Sequence, residues 1–277
     1  MLTITPTESG IKSQPKYLIY DDGVPMESNR HRIAINALIR SVNVALTERE
    51  FFAGGNMFIY YSLEQIKNER FKGSDFFVVL NVGNDTTRKA WVTWEENGRY
   101  PDVIVELMSP STANIDKTEK KDIYEQIFKT SEYYVYDPFD EKSLQGWRLN
   151  NDHIYYEIPV NEQGWLFSKK LNLWLGNWSG TIDRETGIWL RFYDTDGNLV
   201  PLPEELAQLQ AQQAQLQAQL ERSNAELAEE KAEQAEIKAQ LEREKAEQAE
   251  IKAQLEREKA ERLARMLREL GVNPDDV

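Results

Sequence analysis

The stretch PDVIVELM, residues 101–108, decides the fold. Its nearly continuous apolar character predicts a strand buried on both faces of a sheet, and DFFVVLNV, residues 75–82, predicts a second one. Both stretches carry carboxylates, because Asp75 opens one and Glu106 lies in the middle of the other. An ionised carboxylate buried without a partner costs several kcal/mol. Glu106 must therefore be paired with a cation, a metal ion or hydrogen-bond donors.

Strand geometry selects the second acid. Asp102 and Glu106 share a face of their strand but lie roughly 13 Å apart, at about 3.3 Å per residue, so they cannot hold one ion together. The partner must come from a neighbouring strand, and Asp75 is the best candidate. Two carboxylates a few ångströms apart repel unless a cation lies between them. Oxygen ligands alone favour Mg²⁺ or Mn²⁺.

A lysine-rich turn follows the Glu106 strand and opens a predicted helix over residues 114–129. Asp116, Lys120 and Tyr124 are spaced by four and face one way, so Lys120 can approach Glu106. The apolar spacing also predicts that four residues of this helix turn inward, namely Ile115, Ile123, Tyr124 and Ile127. Two acids, a metal ion and a lysine form a plausible device for water attack on a phosphodiester. Helical Asp–Lys pairs are also common as solvated surface pairs.

The order of elements predicts an α/β fold with a mixed central sheet. A helix over residues 28–49, capped by Ser28 or Asn29, precedes the strands, and short aromatic strands over residues 144–200 form β-rich additions. Near Pro203 the composition changes to one dominated by Ala, Gln, Glu, Lys and Leu. We therefore expect a globular domain over residues 1–200 and a charged helical extension over residues 201–277.

The extension carries a repeat, because residues 231–244 and 245–258 are both KAEQAEIKAQLERE. A 3-4 spacing of seam positions runs from Leu206 to Leu255, with polar residues at many of them. This pattern predicts a weak coiled coil over residues 204–270, and hence a homo-oligomer, most simply a dimer. The alternative is a lone charged helix held by Glu–Lys pairs. Gly271 and Pro274 are expected to end the helix.

Composition excludes several classes of protein. The 277 residues include no Cys and two His, which argues against disulfides, Cys-ligated zinc and a Cys nucleophile. A formal net charge of −14 argues against a general nucleic-acid coat or a basic membrane binder. The sequence offers no long apolar run and no signal-peptide pattern. We expect a cytoplasmic protein that does not enter the membrane.

The chain resembles the Uma-two family of proposed restriction endonucleases, first catalogued as a domain of unknown function. Three stretches carry the resemblance: PDVIVELMSPST at 101–112, DKTEKKDIYEQIF at 116–128 and SEYYVYDP at 131–138. GSDFFVVLNVG at 73–83 resembles the first strand of the family, with Ser74 in place of Pro. The family in turn resembles the PD-(D/E)xK nuclease superfamily, which implies a restriction-endonuclease-like sheet flanked by helices.

The resemblance implies roles for three residues. Asp75 takes the place of the first Asp and Glu106 that of the second acid, both as metal ligands. Met108 occupies the usual lysine position, so the lysine role passes to Lys120 on the helix, with Lys121 as the fallback. Asp102 belongs to the same motif, but it is expected either to cap a turn or to support the metal ligands without contacting the ion itself.

The implied activity is that of a metal-dependent endonuclease that hydrolyses DNA with Mg²⁺ or Mn²⁺. The alternative is a non-catalytic nuclease-like domain that binds a partner through its coiled coil, a view that the acidic net charge favours. His31 is expected either to contact phosphate near the site or to be a surface histidine between Arg30 and Arg32.

Overall fold

A six-stranded mixed sheet forms the centre of the globular unit. The computed structural model describes Leu18, residues 28–67 and residues 73–269. The strand order is β1-β4-β6-β7-β8-β9, in which only β6 and β7 run parallel. The strands are β1 Phe51–Gly54, β4 Phe76–Leu80, β6 Val103–Leu107, β7 Glu132–Asp137, β8 Asp140–Leu149 and β9 Tyr155–Glu157. The two stretches predicted as buried strands are therefore β4 and β6, neighbours in the middle of the sheet.

Two smaller sheets accompany the central one. One has the order β3-β2-β5 and the other β10-β11-β12. Their strands are β2 Met57–Tyr60, β3 Gly73–Ser74, β5 Trp91–Val92, β10 Leu166–Ser168, β11 Leu173–Ile182 and β12 Glu185–Tyr193. A short helix, α2, covers Leu63–Lys67. The β-rich character predicted for residues 144–200 is confirmed.

Helices cover both faces of the central sheet. Helix α1, Asn29–Ala45, begins at the predicted cap, where Ser28 Oγ accepts a hydrogen bond from the backbone of His31. It packs with Phe76 and Val105 on one face. Helix α3, residues 113–128, packs with Phe77 and Ile104 on the opposite face. The mixed α/β architecture expected from the sequence is confirmed.

Helix α3 departs from regular α-helical geometry. Its α-helical parts are Ala113–Ile115 and Lys121–Ile123, and its π-helical parts are Asp116–Lys120 and Tyr124–Phe128. Tyr124 is buried, as predicted. The wider π-turns change the angular spacing of side chains, and Phe128 becomes buried as well. Ile115 and Ile127 are instead exposed, and the prediction that these two turn inward was wrong.

The last helix, α4, runs over Pro203–Glu269 and has 67 residues. Glu205 in its first turn accepts hydrogen bonds from the Leu202 backbone at 2.7 Å and from Arg191 Nη2 at 2.8 Å. Arg191 is completely buried, so this turn is fixed to the globular unit. The chain divides into two units between Ala207 and Gln208. The predicted helix end at Gly271 and Pro274 lies outside the described residues. No helix in the described part of the chain is long and apolar enough to cross a membrane.

Candidate active site

Asp75, the residue immediately before β4, lies opposite Glu106 of the neighbouring strand β6. Strands β4 and β6 are antiparallel, with Phe76 paired to Val105 and Phe77 to Ile104. One further step of the same register places Asp75 across from Glu106. Because side chains alternate along a strand, both carboxylates project to the face that carries Phe77, Ile104 and α3.

The side chain of Glu106 is completely buried, and α3 supplies donors to both of its oxygens. The hydroxyl of Tyr124 donates to Oε1 at 2.6 Å. The ammonium of Lys120 donates to Oε2 at 2.9 Å, and the backbone N–H of Asp75 lies 3.4 Å from the same oxygen. The sequence-based expectation that Glu106 needs a partner is confirmed, and Lys120 is the cation beside it.

Asp75 differs from Glu106 in keeping partial solvent exposure. Its Oδ2 accepts a hydrogen bond from the backbone N–H of Leu107 at 2.7 Å. This contact holds the side chain against the strand that carries Glu106, and the two carboxyl groups are close enough to interact by a hydrogen bond and by mutual repulsion. The pair is therefore open to solvent on the Asp75 side and sealed by α3 on the Glu106 side.

A third acid, Asp116, completes the cluster. It is almost completely buried, and its Oδ1 lies 2.9 Å from Lys120 Nζ in an ion pair that lacks hydrogen-bond geometry. Its backbone carbonyl accepts a hydrogen bond from Tyr133. The sequence placed Asp116 and Tyr124 on the same face as Lys120 but did not predict them as site residues. Their spacing of four around Lys120 was the available signal.

The charges in this cluster do not balance. Three carboxylates, of Asp75, Glu106 and Asp116, face the single ammonium of Lys120. Burial raises the pKa of Glu106 to about 7, with nearby Asp75 adding to the rise and Lys120 opposing it. Burial also raises the pKa of Asp75 and of Asp116. Although burial alone lowers the pKa of Lys120, the three carboxylates raise it above its ordinary value, so Lys120 is an ammonium ion.

The acidic pair fits a hard divalent cation. A dication near Asp75 and Glu106 would compensate the excess negative charge, and carboxylate oxygens are suitable ligands for Mg²⁺ or Mn²⁺. Within the described residues, no group of three or more His, Asp or Glu is arranged around a common metal position. Mg²⁺ usually binds through one or two carboxylates and keeps several water or substrate oxygens.

Comparison with known proteins places the chain in a family. The Uma2 family model, described as “Putative restriction endonuclease”, matches residues 12–179, more than half of the chain. The chain belongs to the Uma2 family. This is the Uma-two family that the sequence motifs resemble, and the matched region of this Uma2 member includes all four residues of the buried cluster.

A solved structure resembles this Uma2 chain distantly. It is the crystal structure of a putative nuclease belonging to DUF820 from Anabaena variabilis ATCC 29413, determined at 1.96 Å resolution. The two share 13% sequence identity with a TM-score of 0.39, over 55% of this chain and 81% of the other. No curated protein matches the chain.

Three further residues singled out in the sequence lie apart from the cluster. Asp102 Oδ2 accepts a hydrogen bond from the Leu80 backbone at 2.9 Å, so it ties the end of β4 to the start of β6, as expected of a capping residue. Lys121 Nζ lies 4.9 Å from the centre of the Trp147 ring. His31 is buried, with Nδ1 2.8 Å from Ser28 Oγ and Nε2 3.3 Å from the Met108 carbonyl oxygen. The interpretation of His31 as a surface residue was wrong.

Proposed function

We propose that this Uma2 member is a metal-dependent endonuclease that hydrolyses phosphodiester bonds of DNA. One observation carries the proposal: Asp75 and Glu106 lie opposite each other on adjacent strands, with Lys120 ion-paired to Glu106 at 2.9 Å. A structural explanation of the cluster has to account for three acids gathered around one lysine, an arrangement that destabilises the folded state. A site that recruits a dication and a phosphate accounts for it directly.

Asp75 and Glu106 would hold Mg²⁺ or Mn²⁺ as ligands. When bound, such an ion supplies a more acidic water and neutralises charge on the phosphate oxygens. The hydrogen bond from Leu107 fixes the orientation of Asp75, and the hydrogen bond from Tyr124 fixes that of Glu106. Both carboxylates are thus oriented by the surrounding structure, which lowers the reorganisation needed when substrate arrives.

Lys120 acts as a positive charge in this mechanism. Nearby carboxylates raise its pKa, so the side chain carries its proton in the metal-free protein. An ammonium at this position stabilises the negative charge that builds up on the phosphate in the transition state and orients the attacking water. Asp116 and Glu106 position the ammonium, since each lies 2.9 Å from Nζ.

The long helix gives the proposed nuclease a means of assembly. Duplex DNA has two strands, and two copies of the chain joined through residues 204–270 would provide two sites. The exposed apolar side chains along α4 support assembly, since a helix that remains single gains nothing by exposing them.

A plasmid-cleavage assay with Mg²⁺ or Mn²⁺ tests the proposal. We expect wild-type protein to cut, and Glu106→Gln, Asp75→Asn and Lys120→Met to lose at least about 100-fold in rate, the scale of removing a key charged group from a transition state. Matched controls on α3 are Asp122→Asn and Lys117→Met, because both side chains are exposed. The controls should cut within about threefold of wild type.

Two outcomes would contradict the proposal. Failure of the wild-type protein to cut DNA across metals and salt concentrations would favour the non-catalytic interaction module that the net charge of −14 suggests. Equal cleavage by wild type and the three site variants would show that the activity resides elsewhere.

A further inference from the structure

The exposed apolar side chains of α4 form a regular seam. In the heptad register that begins with Leu206 at position a, positions a and d contain eight large apolar side chains that are each at least half exposed: Leu209, Leu216, Leu220, Leu227, Ile237, Leu241, Ile251 and Leu255. At about 1.5 Å per residue the helix extends roughly 100 Å, so the seam is long. An apolar seam of this length on one helix is a surface suited to a partner helix.

Charged residues flank this seam in a consistent order. Every e position from residue 231 to residue 259 is lysine: Lys231, Lys238, Lys245, Lys252 and Lys259. The g positions are acidic or neutral: Glu226, Glu233, Gln240, Glu247, Gln254 and Glu261. One edge of the seam is thus basic and the other acidic, a pattern that sets partner choice and orientation in coiled coils.

Apart from Glu261, the charged residues that flank the seam form no ion pair within the described length of their own helix. Between Gln208 and Glu269 the structure shows one intrahelical ion pair, Arg265 with Glu261 at 4.0 Å. Two side-chain amides, of Gln217 and Gln234, donate to glutamates on the same helix. A lone helix stabilised by Glu–Lys pairs would show many such ion pairs at spacings of three and four. The lysines and glutamates that flank the seam are therefore available to a second helix.

We propose that α4 pairs with α4 of a second copy of this chain as a parallel, in-register, two-stranded coiled coil. In a parallel pair, each g position faces the e position five residues later in the other helix. Glu233 then meets Lys238, and Glu247 meets Lys252. In an antiparallel pair, e positions face e positions, so lysines would oppose one another wherever the 231–259 segments of the two helices overlap, and no Glu–Lys contact would form across the e edge. The inference rests on the assembly proposed above and adds its direction and register.

Polar seam positions specify the register. Gln213, Gln234 and Gln248 occupy a positions, and an amide at position a pairs best with its counterpart in an aligned partner. The repeat over residues 231–258 would tolerate a slip of one repeat length. The preceding segment from Leu209 to Leu227 is not repeated, so only the unslipped alignment matches both segments.

A parallel arrangement has a consequence for the candidate active site. The first turn of α4 is fixed to the globular unit by the contact between Arg191 and Glu205. Both globular units of the pair therefore join the coil at the same end. Two candidate sites would be tethered near each other, which raises the effective concentration of one at a DNA segment held by the other.

Cysteine cross-linking of the full chain tests the direction and the register. The chain has no native Cys, so Ser223→Cys at position d and Gln248→Cys at position a are each the only thiol. After mild oxidation, each variant alone should give a covalent dimer in most molecules. Ala239→Cys, at the outward f position, is the matched control and should remain largely uncross-linked. Sedimentation of the unmodified full chain should give the mass of two chains.

Other results overturn the inference in distinguishable ways. A monomer mass removes the assembly altogether, and a mass above two chains removes the two-stranded coil. A dimer in which at most one of the two cysteine variants cross-links is antiparallel or out of register, and contradicts this inference alone. None of these measurements involves DNA cleavage. A negative result would therefore contradict the coiled coil without bearing on the proposed nuclease activity, which the plasmid assay tests separately.

A charge reversal supplies an independent check. The double variant Lys238→Glu/Lys252→Glu should weaken dimerisation by at least about tenfold, since attractive contacts become repulsive on both edges of the pair. Adding Glu233→Lys/Glu247→Lys in the same chain should restore it. Unchanged dimerisation in the first variant, or no recovery in the second, contradicts the parallel pairing.

Discussion

Two glutamates are buried in neighbouring strands of the same sheet, and they are held in different ways. Glu132 opens β7 and is 1% exposed, while Glu106 in β6 is 0% exposed. Glu132 pairs with Arg148 at 2.9 Å and accepts further hydrogen bonds from the Ser168 hydroxyl and the Lys169 backbone. Glu106 forms its ion pair with Lys120, and Lys120 forms a second ion pair with Asp116.

The two sites differ in charge balance and in access to solvent. Glu132 has one cation of its own and donors from the chain segment around residues 168–170, so its carboxylate is fully satisfied. Glu106 belongs to a cluster with more acids than cations, and one of these, Asp75, is partly exposed. Burial of an acid alone does not mark a functional site. An excess of buried negative charge that opens to solvent leaves room for a cation to enter and compensate it, and our proposal for the Asp75–Glu106 cluster rests on this difference.

Replacement of Glu132 gives the largest expected change in stability. Glu132→Gln leaves the Arg148 guanidinium without its carboxylate, and breaking a largely buried pair costs about 3 kcal/mol. We expect the free energy of unfolding to fall by about that amount in urea denaturation. Glu157→Gln, an exposed glutamate on β9, is the matched control and should change it by less than about 0.5 kcal/mol. A small effect for Glu132→Gln would remove the structural role assigned to this residue.

The pH dependence of stability reports on the charge of Glu106. In metal-free protein, burial raises the pKa of Glu106 from its ordinary 4.5 to about 7. The folded state therefore binds the proton more tightly than the unfolded state. The stabilisation is complete below pH 4.5 and is lost as pH rises through about 7.

Glu106→Gln removes this titration and isolates its contribution. Relative to the variant, wild-type protein should lose on the order of 2–3 kcal/mol of unfolding free energy between pH 4.5 and pH 8, as measured by urea denaturation in the presence of chelator. Parallel pH profiles for wild type and Glu106→Gln would show that the charge of the cluster is already compensated.

The smallest expected effect is that of Lys121→Met. This lysine was the fallback for the catalytic position, but its ammonium lies over Trp147 at 4.9 Å. Its replacement removes a half-buried cation–π contact worth about 1 kcal/mol, and DNA cleavage should remain within about threefold of wild type. Comparison with Lys120→Met in the same assay distinguishes the two lysines. A loss of activity in Lys121→Met as large as that in Lys120→Met would reverse the assignment.

The sequence was sufficient to predict the centre of the fold. The apolar runs at residues 75–82 and 101–108 predicted β4 and β6, because a continuous apolar strand is stable only inside a covered sheet. Strand spacing then excluded Asp102 as the residue that shares an ion with Glu106. In the structure, the Asp102 carboxylate instead accepts a hydrogen bond from the backbone of Leu80 in β4. The N-cap of α1 at Ser28 was likewise predicted, because serine is a preferred residue at that position.

Other features depend on contacts that are distant in the sequence. Glu132 was not recognised as buried, because its partners Arg148 and Ser168 lie far along the chain and meet it only in the folded sheet. The exposure of Ile127 was missed because α-helical spacing was applied to a helix that contains π-turns.

The most direct test of the account is a titration of the full chain with Mn²⁺, followed by the loss of the free-ion signal in electron paramagnetic resonance. We expect wild type and the exposed control Asp122→Asn to bind the ion with equal affinity, and Asp75→Asn and Glu106→Gln each to bind it at least about tenfold more weakly. Equal binding by all four proteins, or none by wild type at millimolar Mn²⁺, would contradict the claim that these two acids share a divalent ion.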